Sequence, residues 1–378
     1  MRMGFAMGLG ALPPAPPQTD AGSVSSAQTI QFQAAPVVEE PITSTQSITA
    51  YADAVLSSLV PASLDIDPSK GITLGTTMRL TGTSSAMTLA AGTGSLAYAS
   101  DPPAYKITIE PGAATFSIAY DGSVGSNVVT GIAIPVSSTY TVPGGKPGAG
   151  NVFTFGASFT AGDTYECTAA SVTTQDASAF TISQGTAASQ PVLGKDATGY
   201  HFRTTTAGLT LESTTAALVN LAKDDPALTL MAKVAPDTAS RVEDFCCWSQ
   251  TTGTSGQRRF GKTTTGTGRL TQICVNDAAS STNSSLTRGL DDLTNGGVVK
   301  LCWAGPGSNG GQTCKVNDAN ANPSGGTWNP GTVTPGRFVL GATRDNALRR
   351  QFGGKIYRLM AWNSNLSAAE QTAQIAVL

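Results

Sequence analysis

The chain has 378 residues, with 25 Asp and Glu, 23 Lys and Arg, and a single His. Its length leaves room for roughly two or three domains with sizeable cores, and its 42 Gly residues suit many short strands and turns. The net charge of -2 lacks the basic character of a nucleic-acid-binding protein. No apolar run reaches the roughly 18 residues that a membrane-spanning helix needs.

Residues 1–45 predict an extended arm. Apolar residues alternate in part with Gly, and a Pro cluster follows at 13–17. A signal peptide is the alternative, because Arg2 precedes the apolar stretch, but Gly and Pro disfavour its helix. Such a segment cannot bury its side chains by folding on itself, so we predict that it anchors the chain to a partner subunit. The predicted anchor residues are Met1, Met3, Phe5, Met7 and Leu9.

Residues 46–62 predict a short helix or a linker. Ile48, Ala52, Val55 and Leu59 recur at spacings of three and four, which is typical of one apolar helix face. Pro61 favours an end before it. The alternative is a continuation of the extended arm.

Residues 63–185 predict a small β-sandwich. Short alternating runs separated by turns occur at 71–75, 78–81, 86–90, 104–112, 114–122, 139–143, 152–155 and 159–168. Their order, and above all the part from Phe159 to Thr168, resembles a module of tailed-bacteriophage structural proteins. That resemblance implies a virion component. A generic immunoglobulin-like module is the alternative.

Residues 186–378 predict a second all-β domain. Strand-like runs lie at 227–234, 242–248, 298–303, 312–318, 338–342 and 352–362, and Ser367 with Glu370 forms a capping box before an Ala-rich stretch. This ordered set resembles the laminin-G-like, concanavalin A-like jelly roll. The resemblance implies two antiparallel sheets packed face to face and a short C-terminal helix, with Trp303, Leu359 and Ala361 buried.

Met360 departs from that family, which usually has a polar residue there. The sequence favours a lone surface Met over a covered outer face.

The six cysteines are predicted to be reduced, small hydrophobic residues in strands rather than disulfides. No C-x-x-C spacing occurs and His201 is the only His, so a zinc site is not indicated. Adjacent Cys246 and Cys247 point to opposite faces of a strand and seldom bridge. The six are Cys167, Cys246, Cys247, Cys274, Cys302 and Cys314.

The sequence does not indicate an enzyme. Concanavalin-type hydrolases need paired carboxylates across a sugar, whereas Glu243 and Asp244 are adjacent and predicted to face opposite ways. No nucleophile elbow, supported triad or phosphate-binding Gly loop is present.

A carbohydrate-binding role is predicted for loops of the second domain. Trp328 suits stacking on a sugar ring, although packing over the end of the sandwich is favoured. Asp318 and Asp345 are candidate calcium ligands that also suit ordinary turns. No other cofactor or metal is predicted. The full candidate set is Asn317, Asp318, Trp328, Arg344 and Asp345.

These features predict a structural virion protein of a tailed bacteriophage, a decoration, fibre or tail component assembled in the host cytoplasm. Its partners would be other virion proteins, further copies of the chain and host surface glycans, without nucleic acid or membrane insertion. The alternative is a secreted or surface-attached bacterial carbohydrate-binding protein or adhesin. Fold alone does not decide between them.

Overall fold

The computed structural model describes residues 59–122, 127–205, 208–224, 227–237, 243–251, 256–263, 269–275, 281–286, 297–305, 311–321, 323–324, 332–344 and 348–378, without the side chains of 262–286, 320–324, 344 and 349. The predicted arm, with Met1, Met3, Phe5, Met7 and Leu9, lies outside the described residues. So do residues 46–58 of the predicted helix or linker.

The first half of the described chain is almost entirely strand. Its strands are β1 Leu64–Ile66, β2 Lys70–Leu74, β3 Arg79–Thr81, β4 Thr88–Ala90, β5 Ala97–Ser100, β6 Lys106–Ile109, β7 Thr115–Ala119, β8 Val128–Ala133, β9 Thr139–Thr141, β10 Val152–Thr154, β11 Thr164–Glu166, β12 Ala169–Thr173, β13 Thr181–Ser183, β14 Val192–Asp196, β15 Gly199–Thr204 and β16 Leu211–Ser213. A 3-10 turn covers Ala187–Ser189.

The second half adds longer strands and two helices. They are α1 Ala216–Asn220, β17 Leu228–Pro236, β18 Glu243–Ser249, β19 Gln257–Thr263, β20 Arg269–Val275, β21 Ser281–Leu286, β22 Val299–Gly305, β23 Thr313–Val316, β24 Ala319–Ala321, β25 Pro323–Ser324, β26 Arg337–Leu340, β27 Thr343–Arg344, β28 Leu348–Arg349, β29 Gly354–Trp362 and α2 Ala368–Val377. The predicted all-β class is confirmed.

Two large antiparallel sheets dominate the compact unit Ala62–Asn365. One has eight strands in the order β14-β15-β29-β17-β22-β23-β24, with β1 on β29. The other has eleven, in the order β25-β21-β20-β19-β18-β26-β16-β13-β12-β2-β5. Leu230, Trp303 and Leu359 of the first share one apolar core with Trp248 and Phe338 of the second. The predicted face-to-face pair of antiparallel sheets is therefore confirmed, and Trp303, Leu359 and Ala361 are buried.

Strand β29 is the centre of the eight-stranded sheet and is covered on both faces. Met360 pairs with Asp65 on one side and Met231 on the other, and only 5% of it is exposed. The prediction of a lone surface Met was wrong. Met231 in turn pairs with Cys302, and both are fully buried, so this row of the sheet is a second apolar surface removed from water.

A smaller sandwich is built from a five-stranded sheet, β3-β11-β6-β7-β8, and a three-stranded sheet, β4-β10-β9. Aromatic rings fill the space between them: Phe116 packs edge-on against Tyr140 at 5.3 Å, and Tyr105 against Phe153 at 5.0 Å. Such ring pairs add to the stabilisation from burial. Strands β2, β12 and β13 instead join the eleven-stranded sheet next to β16. That sheet thus runs across residue 185, where the sequence places a domain boundary, and the boundary stays a prediction.

The other compact unit comprises Met1–Pro61 and Leu366–Leu378, of which residues 59–61 and 366–378 are described. The predicted capping box is present. The Ser367 hydroxyl accepts from the Glu370 amide at 3.3 Å, and the Glu370 carboxylate accepts from the Ser367 amide at 2.7 Å. The Gln374 side-chain amide donates to the carbonyl of Val60 at 2.8 Å.

The described cysteines are buried and free, as predicted: Cys167, Cys246, Cys247, Cys302 and Cys314. Cys302 and Cys314 lie on the paired strands β22 and β23 but are not opposite each other, because Cys302 pairs with Lys315 and Cys314 with Trp303. The side chain of Cys274 is not among those that the structure describes.

Candidate binding pocket

The candidate site is a polar cavity of about 120 Å³ beside the hairpin β14–β15, here called the hairpin pocket. Its walls also come from the start of β6, the end of β11, the loop at Gly122 and the start of β29. Its charged lining residues are Lys106, Glu166, Lys195, Asp196, Arg203 and Lys355. Strands that belong to different sheets therefore supply one site.

The hairpin is held by its own turn. Asp196 pairs with Gly199 at the end of the ladder, and Asp196 Oδ1 accepts from the amide of Thr198 at 2.9 Å. A carboxylate that bonds the backbone two residues on is a common way of fixing a tight turn. This turn places Asp196 Oδ2 toward β29.

Asp196 Oδ2 collects several partners. Lys355 Nζ and Tyr357 Oη each donate to it at 2.8 Å, and His201 Nδ1 lies 3.6 Å away. Burial opposes ionisation of Asp196, but these donors outweigh it and hold its pKa below the usual value. The carboxylate is therefore ionised at neutral pH.

His201 lies on β15 directly opposite Gly194 on β14. A Cβ on Gly194 would come within 2.5 Å of His201 Nε2, so the missing side chain makes room for the imidazole. Burial lowers the pKa of His201 to about 4, against the attraction of Asp196. The ring is thus neutral at pH 7. Since Nδ1 faces the Gly199 carbonyl at 3.4 Å, we assign the proton to Nδ1, which leaves Nε2 as an acceptor.

Arg203 and Glu166 form the second ion pair of the hairpin pocket. Arg203 makes two hydrogen bonds to the Glu166 carboxylate, a geometry that fixes both side chains. Beside this pair, Arg79 donates to the carbonyls of Ala188 and Gln190. Burial and the neighbouring charge of Arg203 lower the pKa of Arg79. The Arg203–Glu166 pair of the pocket therefore has a further cation, Arg79, as its neighbour outside the lining.

Two lysines of the hairpin pocket have no carboxylate partner among the described residues. The Lys195 ammonium lies 4.5 Å from the Tyr200 ring centroid and 3.5 Å from its hydroxyl. Lys106 pairs with Glu166 across the strands β6 and β11, but the Glu166 carboxylate is bonded to Arg203. Both lysines are half-buried, and the Lys195 side chain lies with Tyr200 on the face of the hairpin opposite His201, because Lys195 pairs with Tyr200 and Gly194 with His201.

The arrangement suits binding rather than proton transfer. A general acid needs a pKa near the working pH, whereas that of Asp196 is lowered. The hairpin pocket instead offers fixed ammonium donors, carboxylate oxygens and one imidazole acceptor. These are groups that polar ligands meet in preformed sites.

The binding residues predicted from sequence lie elsewhere. Asn317 and Asp318 form the turn between β23 and β24, where Asn317 Oδ1 accepts from the Lys300 amide at 2.9 Å and Asp318 lies 3.3 Å from the Lys315 ammonium. Trp328 and Asp345 lie outside the described residues. Arg344 ends the short strand β27, without a described side chain. Among the members of this set whose side chains are described, Asn317 and Asp318 lie together in one turn, and their sugar-binding role stays a prediction.

The residues of the hairpin pocket were missed because they are far apart in sequence. Only one local signal was available. The tetrapeptide Asp-Ala-Thr-Gly at 196–199 stands between two apolar runs and predicts a hairpin turn, and the single His follows two residues after it.

The adjacent acids Glu243 and Asp244 are both buried on β18, which bulges between Asp244 and Cys246. Burial raises the pKa of Asp244, although Arg259 and the Thr343 hydroxyl stabilise its charged form.

Within the described chain, no group of three or more His, Cys, Asp or Glu side chains converges to hold a metal ion. Calcium binding stays a prediction. No described helix is long and apolar enough to cross a membrane.

The sequence matches no known family profile and no curated protein. Several solved structures are similar in part. The CBM40 of a Ruminococcus gnavus IT-sialidase, bound to α2,3-sialyllactose, is 12% identical over 46% of this chain and 94% of its own, with a TM-score of 0.37. Domain 4 of AbnA, a GH43 extracellular arabinanase from Geobacillus stearothermophilus, in complex with arabinotriose, is 12% identical over 51% and 82%, with a TM-score of 0.37. A heptameric SAP-like pentraxin from Limulus polyphemus is 15% identical over 41% and 71%, with a TM-score of 0.31. TM-scores this low assign neither a fold family nor a function to the chain.

Proposed function

We propose that this chain is a non-catalytic saccharide-binding protein whose ligand enters the hairpin pocket. The observation that carries the proposal is the fixed polar lining of that cavity. Asp196 is held by Lys355 and Tyr357, and Arg203 by Glu166, so the binding groups are in place before any ligand arrives. Preorganised groups lose little entropy on binding.

A saccharide suits this lining because each hydroxyl both donates and accepts hydrogen bonds. Carboxylate oxygens of Asp196 and the Nε2 of His201 accept, while Lys106 and Lys355 donate. Strands of two sheets carry these groups, and sheets hold them more rigidly than loops do.

The test is a panel of neutral and acidic oligosaccharides titrated into the full chain, with hydrogen exchange used to locate the bound ligand. We expect slowed exchange at residues 104–106 and 193–203, and unchanged exchange in the hairpin β12–β13. Lys106→Trp, which places a bulky ring at the cavity wall, should abolish binding, whereas Lys70→Trp on the exposed side of β2 should not. Absence of binding to every saccharide, or protection elsewhere, would contradict the proposal.

We further propose, from the sequence, that the chain is a structural virion component attached through residues 1–45. An apolar Gly- and Pro-rich segment is a liability when exposed and an anchor when buried on a partner. Deletion of residues 1–20 should leave the thermal melt unchanged and abolish incorporation into particles or oligomers. Normal assembly of the folded truncation would remove the anchoring role. Cleavage near Ala15 or Ala21, detected by mass spectrometry, would favour the secreted alternative.

A further inference from the structure

We propose that strand β8 joins two copies of this chain, by pairing antiparallel with the β8 of a second copy about a twofold axis. This inference does not depend on saccharide binding, because β8 supplies no residue to the lining of the hairpin pocket.

Strand β8 lies at one edge of the five-stranded sheet, and among the described strands it pairs with β7 alone. With six residues, it is the longest of the strands that end the described sheets. Four of the six residues are exposed, and Val128 is 46% exposed. The side of β8 that faces away from β7 is therefore open to a further strand.

This edge offers unpaired backbone groups. The Tyr120 amide donates to the Asn127 carbonyl at 3.2 Å, at the start of the β7–β8 ladder. Because hydrogen-bonded and non-hydrogen-bonded pairs alternate along an antiparallel ladder, the amide and carbonyl of Val128 point away from β7, and those of Thr130 do so as well. Such groups form a template for pairing with another chain.

The sequence of the edge lacks the residues that usually block such pairing. Natural edge strands often carry Lys, other charged residues or Pro, which prevent association with other chains. Strand β8 reads Val-Val-Thr-Gly-Ile-Ala, and no acidic or basic residue occurs from 122 to 145. Its β-branched residues also suit a position within a larger sheet.

A bulge sets the length of edge that can pair. Thr130 and Gly131 together oppose Ser117 on β7, and the Glu110 carboxylate accepts from the Gly131 amide at 3.0 Å. Bulges bend and twist an edge strand, which limits its pairing. The regular part of β8 therefore ends at Thr130, and a partner strand meets residues 127–130.

A second copy fits this short, uncharged edge. Near a twofold axis each side chain lies close to its own copy, so a charge there would meet the same charge and weaken the pair. The register that joins the outward groups pairs Val128 of each copy with Thr130 of the other and places Val129 opposite its own copy. Each of these two Val–Thr pairs exchanges two backbone hydrogen bonds, so about four link the copies.

Sedimentation velocity of the full chain over a concentration series tests the pairing. An interface this small is expected to be weak, with a dissociation constant on the order of 10–100 µM. Val128→Lys adds a charge to the edge and should weaken the dimer at least about tenfold. Val298→Lys alters an exposed Val next to β22 and should leave the dimer unchanged. Thermal melts confirm that both variants fold.

A chain that stays monomeric across the series overturns the inference and leaves the edge to a strand of another protein. A dimer that Val128→Lys does not weaken also overturns it, because that dimer uses another surface, such as the arm at residues 1–45.

Val129→Cys tests the register. In the proposed pair, residue 129 lies opposite its own copy in a non-hydrogen-bonded position, with Cα atoms about 4.5 Å apart, which is within the range for a disulfide. Mild oxidation should therefore link two chains of this variant. Ile132→Cys, also half-buried on β8 but beyond the bulge, should not link, and neither should the wild type, whose described cysteines are buried. Equal linking of both variants, or of neither, overturns the twofold pairing.

Discussion

The hairpins β14–β15 and β23–β24 both end in polar turns of the eight-stranded sheet, yet they use their polar residues differently. At β23–β24, Asn317 and Asp318 have φ values of +48° and +69°, and their side chains bond to the neighbouring Lys300 amide and Lys315 ammonium. At β14–β15, Asp196 satisfies its turn with one oxygen and reaches β29 with the other.

The difference teaches when a polar turn residue indicates a site. The groups of Asn317 and Asp318 are taken up by the turn and its immediate neighbours, as in any tight hairpin. Asp196 and His201 instead belong to a network that joins strands distant in sequence and opens on a cavity. A polar turn residue therefore indicates a site when its side chain makes hydrogen bonds beyond those that hold the turn, as Asp196 does.

The largest expected effect is the loss of stability when one carboxylate charge is removed from a hairpin, and this loss should differ between the two hairpins. Asp196→Asn leaves Lys355 without its anion and should lower the free energy of unfolding by about 2–4 kcal/mol. Asp318→Asn, at a more exposed position, should cost below about 1 kcal/mol. Urea unfolding of both variants measures the contrast, and similar costs would mean that Asp196 does no more than its turn requires.

The second effect is pH dependence centred on His201. Its folded pKa of about 4 lies below the ordinary 6.5, so the folded chain binds fewer protons than the unfolded chain between these values. The contribution of neutral His201 to the free energy of unfolding is fully present above pH 6.5. It is lost as the pH falls toward 4, by on the order of 3 kcal/mol.

The groups that face the ring are Asp196, which favours its protonation, and Lys355 and Arg203, which oppose it. Unfolding between pH 7 and pH 5 measures the slope before most carboxylates titrate. His201→Gln should flatten it. A wild-type curve that is already flat in this range would show that the imidazole is not held neutral.

The third effect compares two glycines. Gly194→Ala places a Cβ about 2.5 Å from His201 Nε2 and should cost about 1–3 kcal/mol by forcing the ring to move. Gly185→Ala meets nothing within 4 Å and should be neutral or stabilising by up to about 1 kcal/mol. Equal melting temperatures for the two variants would contradict the close packing of the imidazole against β14.

The smallest effect concerns the two cysteines on the paired strands β22 and β23, next to the hairpin β23–β24. Cys302→Ala and Cys314→Ala each remove a buried small side chain and should cost on the order of 1 kcal/mol. Because both thiols are free, reductant should leave the melting temperature of the wild type unchanged. A clear fall on adding reductant would restore a disulfide.

Part of the large sandwich was predictable from sequence. Runs such as 298–303 and 352–362 are apolar, β-branched or aromatic, and bounded by turns, and each became a strand within a few residues of the expected ends. The strands that were not predicted are β1, β5, β8, β12 to β16, β19 to β21, β24, β25, β27 and β28. Several are short or rich in Ser, Thr and Gly, and partners distant in sequence select their extended form.

The hairpin pocket was out of reach of sequence reasoning for a related reason. Lys106, Asp196 and Lys355 are brought together by strand pairing across 250 residues, and no local pattern encodes that proximity. The prediction that Met360 lies on the surface was also wrong. Period-two alternation shows which face of the sheet a residue takes, but not whether that face is covered.

The pairing of β1 with β29 also bears on how the chain reaches its native state. Leu64 is opposite Ala361 and Ile66 opposite Leu359, and Arg358 joins Asp65 at 2.8 Å. Contacts between segments this distant in sequence raise the contact order, which slows folding. At synthesis rates of about 5–20 residues per second, β1 leaves the ribosome roughly 15–60 seconds before its partner strand exists. During that interval its apolar residues lack their native neighbours, and a chaperone that shields them should raise the yield of folded protein.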